Sequence, residues 1–153
     1  MTRYIPRSNF MSARDDVGKT SQAFYAALNR MLKGDTGPLA EVWSHSADVT
    51  TMHPVGGRDV GWDGVKTSFE QVAKISSGGH VELRDQRIQV AGDMAYEVGT
   101  EAGQAELAGQ NVAIEQRVTN VYRQEGGTWK IVHHHTDLSA GMLDVLHRLQ
   151  TAT

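Results

Sequence analysis

The stretch "VTNVYRQEGGTWKIVHHHTDLS", residues 118–139, decides the fold. Two runs rich in β-branched and aromatic residues flank the turn signal "EGG" at 125–127, so the stretch reads as two antiparallel strands joined by a tight turn. The same signature extends upstream. "HVELRDQRIQV" (80–90), "MAYEVGTEAGQAEL" (94–107) and "NVAIEQRVTNVYRQ" (111–124) are separated by "AGD" and "AGQ", and with "TWKIVHHHTDL" (128–138) they make a meander of four consecutive strands.

Ahead of the meander the period is helical. Phe24, Ala27, Leu28, Met31 and Leu32 mark a first helix from Asp15 to Leu32, with acidic residues at the start where the helix dipole favours them. In "KGDTGPLAEVW", Gly34 stops that helix, Asp35 or Thr36 caps the next and Pro38 sits in its first turn. "DVTTMHP" reads as a short strand ended by Pro54, and "VGGRDVG" as a turn. Trp62, Val65, Phe69, Val72 and Ala73 mark a third helix closed by "SSGG". Met142, Val145, Leu146 and Leu149 predict a short C-terminal helix. The expected fold is α+β: a cone-shaped, curved antiparallel sheet with three N-terminal helices on its concave face and a pocket between them.

The 153 residues suit one core. Hydrophobic content of 39% and charged content of 22% are those of a soluble globular protein. A net charge of −3, with no concentrated basic face, argues against nucleic acid as a partner. Zero cysteines exclude disulfides and thiolate chemistry and suit a reducing compartment. No apolar run approaches a membrane span and "MTRYIPRSNFMSARDD" lacks a signal-peptide core, so a cytoplasmic location is expected, with no membrane partner.

The order of elements, "HP" after the first strand, the "G-W-x-G" helix start and "VY-x-x-x-GG-x-W-x-I-V-H-H-H" together resemble the nuclear transport factor 2-like superfamily. Within it the chain resembles SnoaL-like and ketosteroid-isomerase-like small proteins and the association domain of calmodulin-dependent kinase. The resemblance implies a tail over residues 1–14, the domain over 15–139 and a helical extension over 140–153. By position it puts His53 where the isomerases have their general-base carboxylate. Asn120 stands for their protonated acid, Ala27 lies near their tyrosine donor, and His134 stands near the cyclases' acid–base aspartate. It also aims Tyr96, Val98 and Thr100 into the pocket.

Strand alternation puts His133 and His135 on one face and His134 on the other, so the three cannot serve one metal. His133 and His135 would share their face with Trp129 and Ile131, a row suited to core or a subunit interface. No HExxH spacing accompanies them, so no metal and no cofactor are expected. His53 is an imidazole able to move protons near neutrality, or it bonds a backbone carbonyl at a turn. Asn120 would orient a carbonyl through its amide. Trp43, Trp62, Tyr96, Thr100 and Tyr122 would wall a small-molecule site, or fill the core. Arg117 would pair with an acid across an interface, and Glu101, Glu106 and Glu115 would lie on a solvated face or partner it. Two readings stand: a cofactor-independent isomerase, cyclase or lyase acting on a small apolar carbonyl compound through His53, Asn120 and His134, and a non-catalytic binding or association module. Both expect a homodimer.

Overall fold

The computed structural model describes residues 12–152. The expected tail over 1–14 lies largely outside them. Helix α1 (Ala13–Met31) starts where the Ser12 hydroxyl accepts from the Asp15 amide, and it buries Val17, Ser21, Phe24, Tyr25, Leu28 and Met31 along one stripe. Helix α2 (Gly37–Val42) is entered through Asp35, whose carboxylate accepts from the Gly37 amide at 3.0 Å. Strands β1 (Thr50–His53) and β2 (Gly56–Val60) precede helix α3 (Trp62–Ile75), which buries Val65, Phe69 and Ala73. Then come β3 (Ser76–Ala91), β4 (Met94–Leu107), β5 (Gln110–Glu125), β6 (Thr128–Thr136) and helix α4 (Ala140–Thr151).

The fold is α+β with one curved, unclosed sheet in the order β2-β1-β6-β5-β4-β3. The pairs are antiparallel except β1 with β6, which runs parallel and sets Thr51 beside His134. Two segments differ from the sequence reading. "VGGRDVG" forms β2, because Gly56 and Gly57 adopt positive φ and let the chain reverse after Pro54 and pair back on β1. "SSGG" opens β3 rather than closing α3.

Two irregularities shape the concave face. Gly103 has φ 153°, and a Cβ there would lie 1.9 Å from the His80 carbonyl oxygen, so only glycine permits this approach of β4 to β3. On β6 the register slips between the pairs Val121–His133 and Tyr122–Ile131, which makes Val132 the extra residue of a bulge. The bulge reverses the phase of the strand. Trp129 and Ile131 therefore point inward with His134 and Thr136, while His133 and His135 face outward. The expected sharing of one face by Trp129, Ile131, His133 and His135 is corrected by this one residue.

Candidate functional site

A cavity of about 550 Å³ opens between the helices and the concave side of the sheet. Its wall is mainly apolar: Leu28, Met31, Phe69, Val72, Leu107 and Ile114, with Met142, Val145 and Leu146 of α4 completing it. Helix α4 lies on its own chain over this opening, and the Ser139 amide ties its start to the Pro54 carbonyl at 2.8 Å. The polar groups in the wall are few: His53, Asp59, Ser68, Glu101, Gln116 and His134, with exposed Arg58 and Gln71 at the edge.

His134 projects from β6 and is held from behind. Its Nδ1 lies 2.6 Å from Asn120 Oδ1 on the neighbouring strand. Asn120 is 0% exposed, and its amide nitrogen donates to Glu97 Oε1 at 2.9 Å and to the Tyr25 hydroxyl at 3.3 Å. That arrangement fixes the amide, so the oxygen faces His134 and the imidazole must carry its proton on Nδ1. Nε2 is left as a lone-pair acceptor with no hydrogen-bond partner among the described residues. Burial, helped by the neighbouring His53, pushes the His134 pKa down to about 3, so the ring is neutral near pH 7.

Two carboxylates stand behind and beside it on β4. Glu97 is 0% exposed and accepts from Asn120, from the Tyr122 hydroxyl at 2.7 Å and from Gln86 Nε2 at 2.6 Å. Glu101 lies four residues on and lines the cavity itself. It accepts from the Tyr25 hydroxyl and from Gln116 Nε2, each at 2.9 Å. Burial holds its pKa above the usual carboxylate value, against the lowering effect of those two donors. Burial also raises the Tyr25 and Tyr122 phenols, so both remain donors.

His53, at the end of β1, places Nε2 3.2 Å from Asp59 Oδ2, off the line of a good hydrogen bond. Asp59 is engaged instead by the Ser68 hydroxyl at 2.5 Å. Burial lowers the His53 pKa while Asp59 pulls it back up.

Of the residues singled out from sequence, His53 and His134 line the cavity. Asn120 does not reach it: both of its amide protons are taken by Glu97 and Tyr25, so it positions His134 rather than holding an oxyanion. Tyr122 is buried behind the wall on Glu97, and Trp43 belongs to the aromatic core against Phe24, Phe69 and Trp62. Trp62 stacks on His45 with ring centroids 4.6 Å apart, away from the cavity. Tyr96 is 50% exposed and Thr100 lies on the outer face near Arg117 and His135, which corrects both as pocket residues. The phase of β4 is the reverse of the one the resemblance implied: over Met94 to Glu101 the buried residues are Ala95, Glu97 and Glu101. Glu101 is thus a cavity residue and not part of a solvated face. Arg117 pairs with Asp137 of its own chain through two bonds of 2.9 and 3.0 Å. Tyr25, Asp59, Gln86, Glu97 and Gln116 were missed. The family position for a tyrosine falls at Ala27, but the side chain that reaches Asn120 is Tyr25.

A curved, unclosed sheet wrapped on helices around a cavity defines the cystatin-like α+β class. It is shared by a protein of that fold from Caulobacter vibrioides (18% identity, 90% of this chain and 96% of that one, TM-score 0.69). Residues 17–140 match the SnoaL-like domain model, and the chain belongs to that family within the nuclear transport factor 2-like superfamily. A protein from Streptomyces avermitilis, provisionally described as a dehydratase of the NTF2-like family, is 26% identical over 82% of this chain and 95% of its own, with TM-score 0.73. The CaMKII hub of S. rosetta is similar in fold, at 19% identity over 84% of this chain and 98% of its own, with TM-score 0.68. No curated protein is significantly similar in sequence.

Proposed function

We propose that the protein binds a small, largely apolar compound and carries out cofactor-independent acid–base chemistry of the isomerase or lyase kind. The observation that carries this reading is His53 Nε2, buried in the wall of an apolar cavity with Asp59 at 3.2 Å and imperfectly bonded to it. A ligand atom can compete for such a nitrogen, and Asp59 favours the protonated ring that forms on proton abstraction. His134, with its pKa near 3, is too weak a base for that task, so it serves as a fixed acceptor that orients the ligand. Glu101 stands in the same wall, its carboxyl held above its ordinary pKa by burial. The Streptomyces relative's description as a dehydratase supports a lyase-like step. Zero cysteines support a cytoplasmic setting.

The test is hydrogen exchange at the α-carbon of 2-tetralone in deuterated buffer, followed by NMR. Exchange with the unaltered protein about 10²-fold or more faster than with His53→Asn is the expected outcome. Equal rates with both proteins would remove His53 from the chemistry. Binding of the ketone without any exchange would favour the non-catalytic reading, which the low basicity of His134 also supports.

Assembly as a homodimer through the outer face of the sheet belongs to the same proposal. Met52, Val98 and Val121 are only half-covered within the chain, and Tyr96 and Met94 stand exposed beside them.

A further inference from the structure

One oxygen of Asp59 is shared between two groups. Oδ2 lies 2.5 Å from the Ser68 hydroxyl, which donates to it, and 3.2 Å from His53 Nε2, which is off line and makes no hydrogen bond. The chain brings the two side chains together locally. Gly61, at a φ of 83°, turns β2 into α3, so Asp59 near the end of the strand meets Ser68 in the second turn of the helix. A serine inside a helix ordinarily donates to the carbonyl four residues back, here that of Gly64, or to water. Ser68 instead gives its single hydroxyl proton to Asp59.

Few charged or titratable groups surround His53. On β2 Asp59 faces it, with Arg58 exposed at the cavity edge. On β6 its neighbour is His134, neutral near pH 7, and on β4 Glu101 stands in the same cavity wall. Helix α3 packs Phe69 edge-on against the ring, with centroids 5.2 Å apart, and neither α3 nor α4 puts a titratable side chain into the wall. Burial and Asp59 therefore decide between them whether the imidazole carries a proton, and they act in opposite directions.

A carboxylate oxygen that already accepts a hydroxyl proton has less negative charge to offer an imidazolium. We infer that Ser68 is a positioning residue for the acid–base step: by holding Asp59 Oδ2 it keeps the carboxylate from forming a full ion pair with His53, so the imidazole stands in the wall as a free base. The inference rests on the reading of His53 as the group that moves the proton. An Asp59 free to close on His53 would favour the protonated ring before any ligand arrived, and a protonated ring cannot take a proton from a ligand. Ser68 thus acts on the base through its neighbour, as Asn120 acts directly on His134.

The experiment is an NMR titration of the His53 ring in the intact protein, its signal assigned by its loss in His53→Asn. In Ser68→Ala the His53 pKa is expected to rise by about one unit, and in Ser68→Thr, which keeps a hydroxyl, to stay within roughly 0.3 unit of the unaltered protein. With Asp59→Asn already in place, Ser68→Ala should leave it unmoved. The acid limb of 2-tetralone exchange should shift to higher pH in Ser68→Ala by the same amount, which a merely structural tie between α3 and β2 would not produce. An unchanged or lowered His53 pKa in Ser68→Ala overturns the inference and leaves the acid–base reading standing, since exchange by the unaltered protein is read separately. A raised pKa in a protein that shows no exchange overturns the inference together with that reading. Should Ser68→Ala not fold, Ser68→Cys, whose thiol is a weak donor, is titrated in its place with the same outcomes.

Discussion

Asn120 Oδ1 and His134 Nδ1 lie 2.6 Å apart between adjacent strands, and both side chains are buried. This contact dictates which imidazole nitrogen carries the proton and which is left as an acceptor. Replacing Asn120 by Asp sets a carboxylate against Nδ1 and is expected to raise the His134 pKa from about 3 by one to three units. An NMR titration of the His134 ring checks it, and an unchanged value would mean that the contact does not govern the ring.

The same ring makes stability depend on pH. Its folded pKa, about 3, lies below the ordinary 6.5, so the unfolded chain takes up this proton first as pH falls. The contribution is complete above pH 6.5 and is lost progressively toward pH 3, by an amount on the order of a few kcal/mol. His53, also lowered, adds to the loss below 6.5. Glu101 works the other way, since its raised folded pKa makes the folded form the better proton binder above the ordinary value of 4.5. Urea midpoints at several pH values should therefore fall below pH 6.5, and His134→Gln should flatten the decline.

Gly103→Ala is expected to destabilise the protein by about 2–4 kcal/mol, because the new methyl group would enter the space of the His80 carbonyl oxygen at a φ of 153°. Chemical denaturation provides the measurement. A loss under about 0.5 kcal/mol would show that β3 and β4 can separate there without cost.

Truncation after Ser139 removes Met142, Val145 and Leu146 from the cavity wall. Val145 is buried, so some stability goes with it, about 1–3 kcal/mol. The larger expected effect is on ligand binding: 2-tetralone affinity should drop at least about tenfold as the opened cavity fills with water. Unchanged affinity would place α4 outside the site.

Sedimentation at micromolar concentration should show a dimer, and Tyr96→Glu, which adds a charge to the outer sheet face, should shift it to monomer. A monomer at all concentrations would remove the dimer from the proposal.

The helices and the four long strands were legible because each repeats its apolar residues at its own period over many positions. The phases of two strands were not. On β6 a single extra residue, Val132, reverses the alternation, and nothing in "WKIVHHH" marks it. On β4 the buried set contains Glu97 and Glu101, and carboxylates are read as surface unless their partners are known. Those partners are Tyr25 on α1, Gln86 on β3, and Gln116, Asn120 and Tyr122 on β5, far apart in the sequence. His53 and His134 could be singled out because a histidine beside a proline and a histidine run are local features. Asp59 lies on β2 within "VGGRDVG", where the glycines read as a turn.

The parallel pairing of β1 with β6 sets an order of assembly. Hairpins β3–β4, β4–β5 and β5–β6 join neighbours in the chain, whereas Thr50 meets His133 only by closing a loop of more than half the polypeptide. The meander can zip up early, and β1, bringing His53 with it, docks on its finished edge. The cavity-lining imidazole of His53 is thus among the final pieces to arrive, and a nascent chain still lacking β6 has no place to put it.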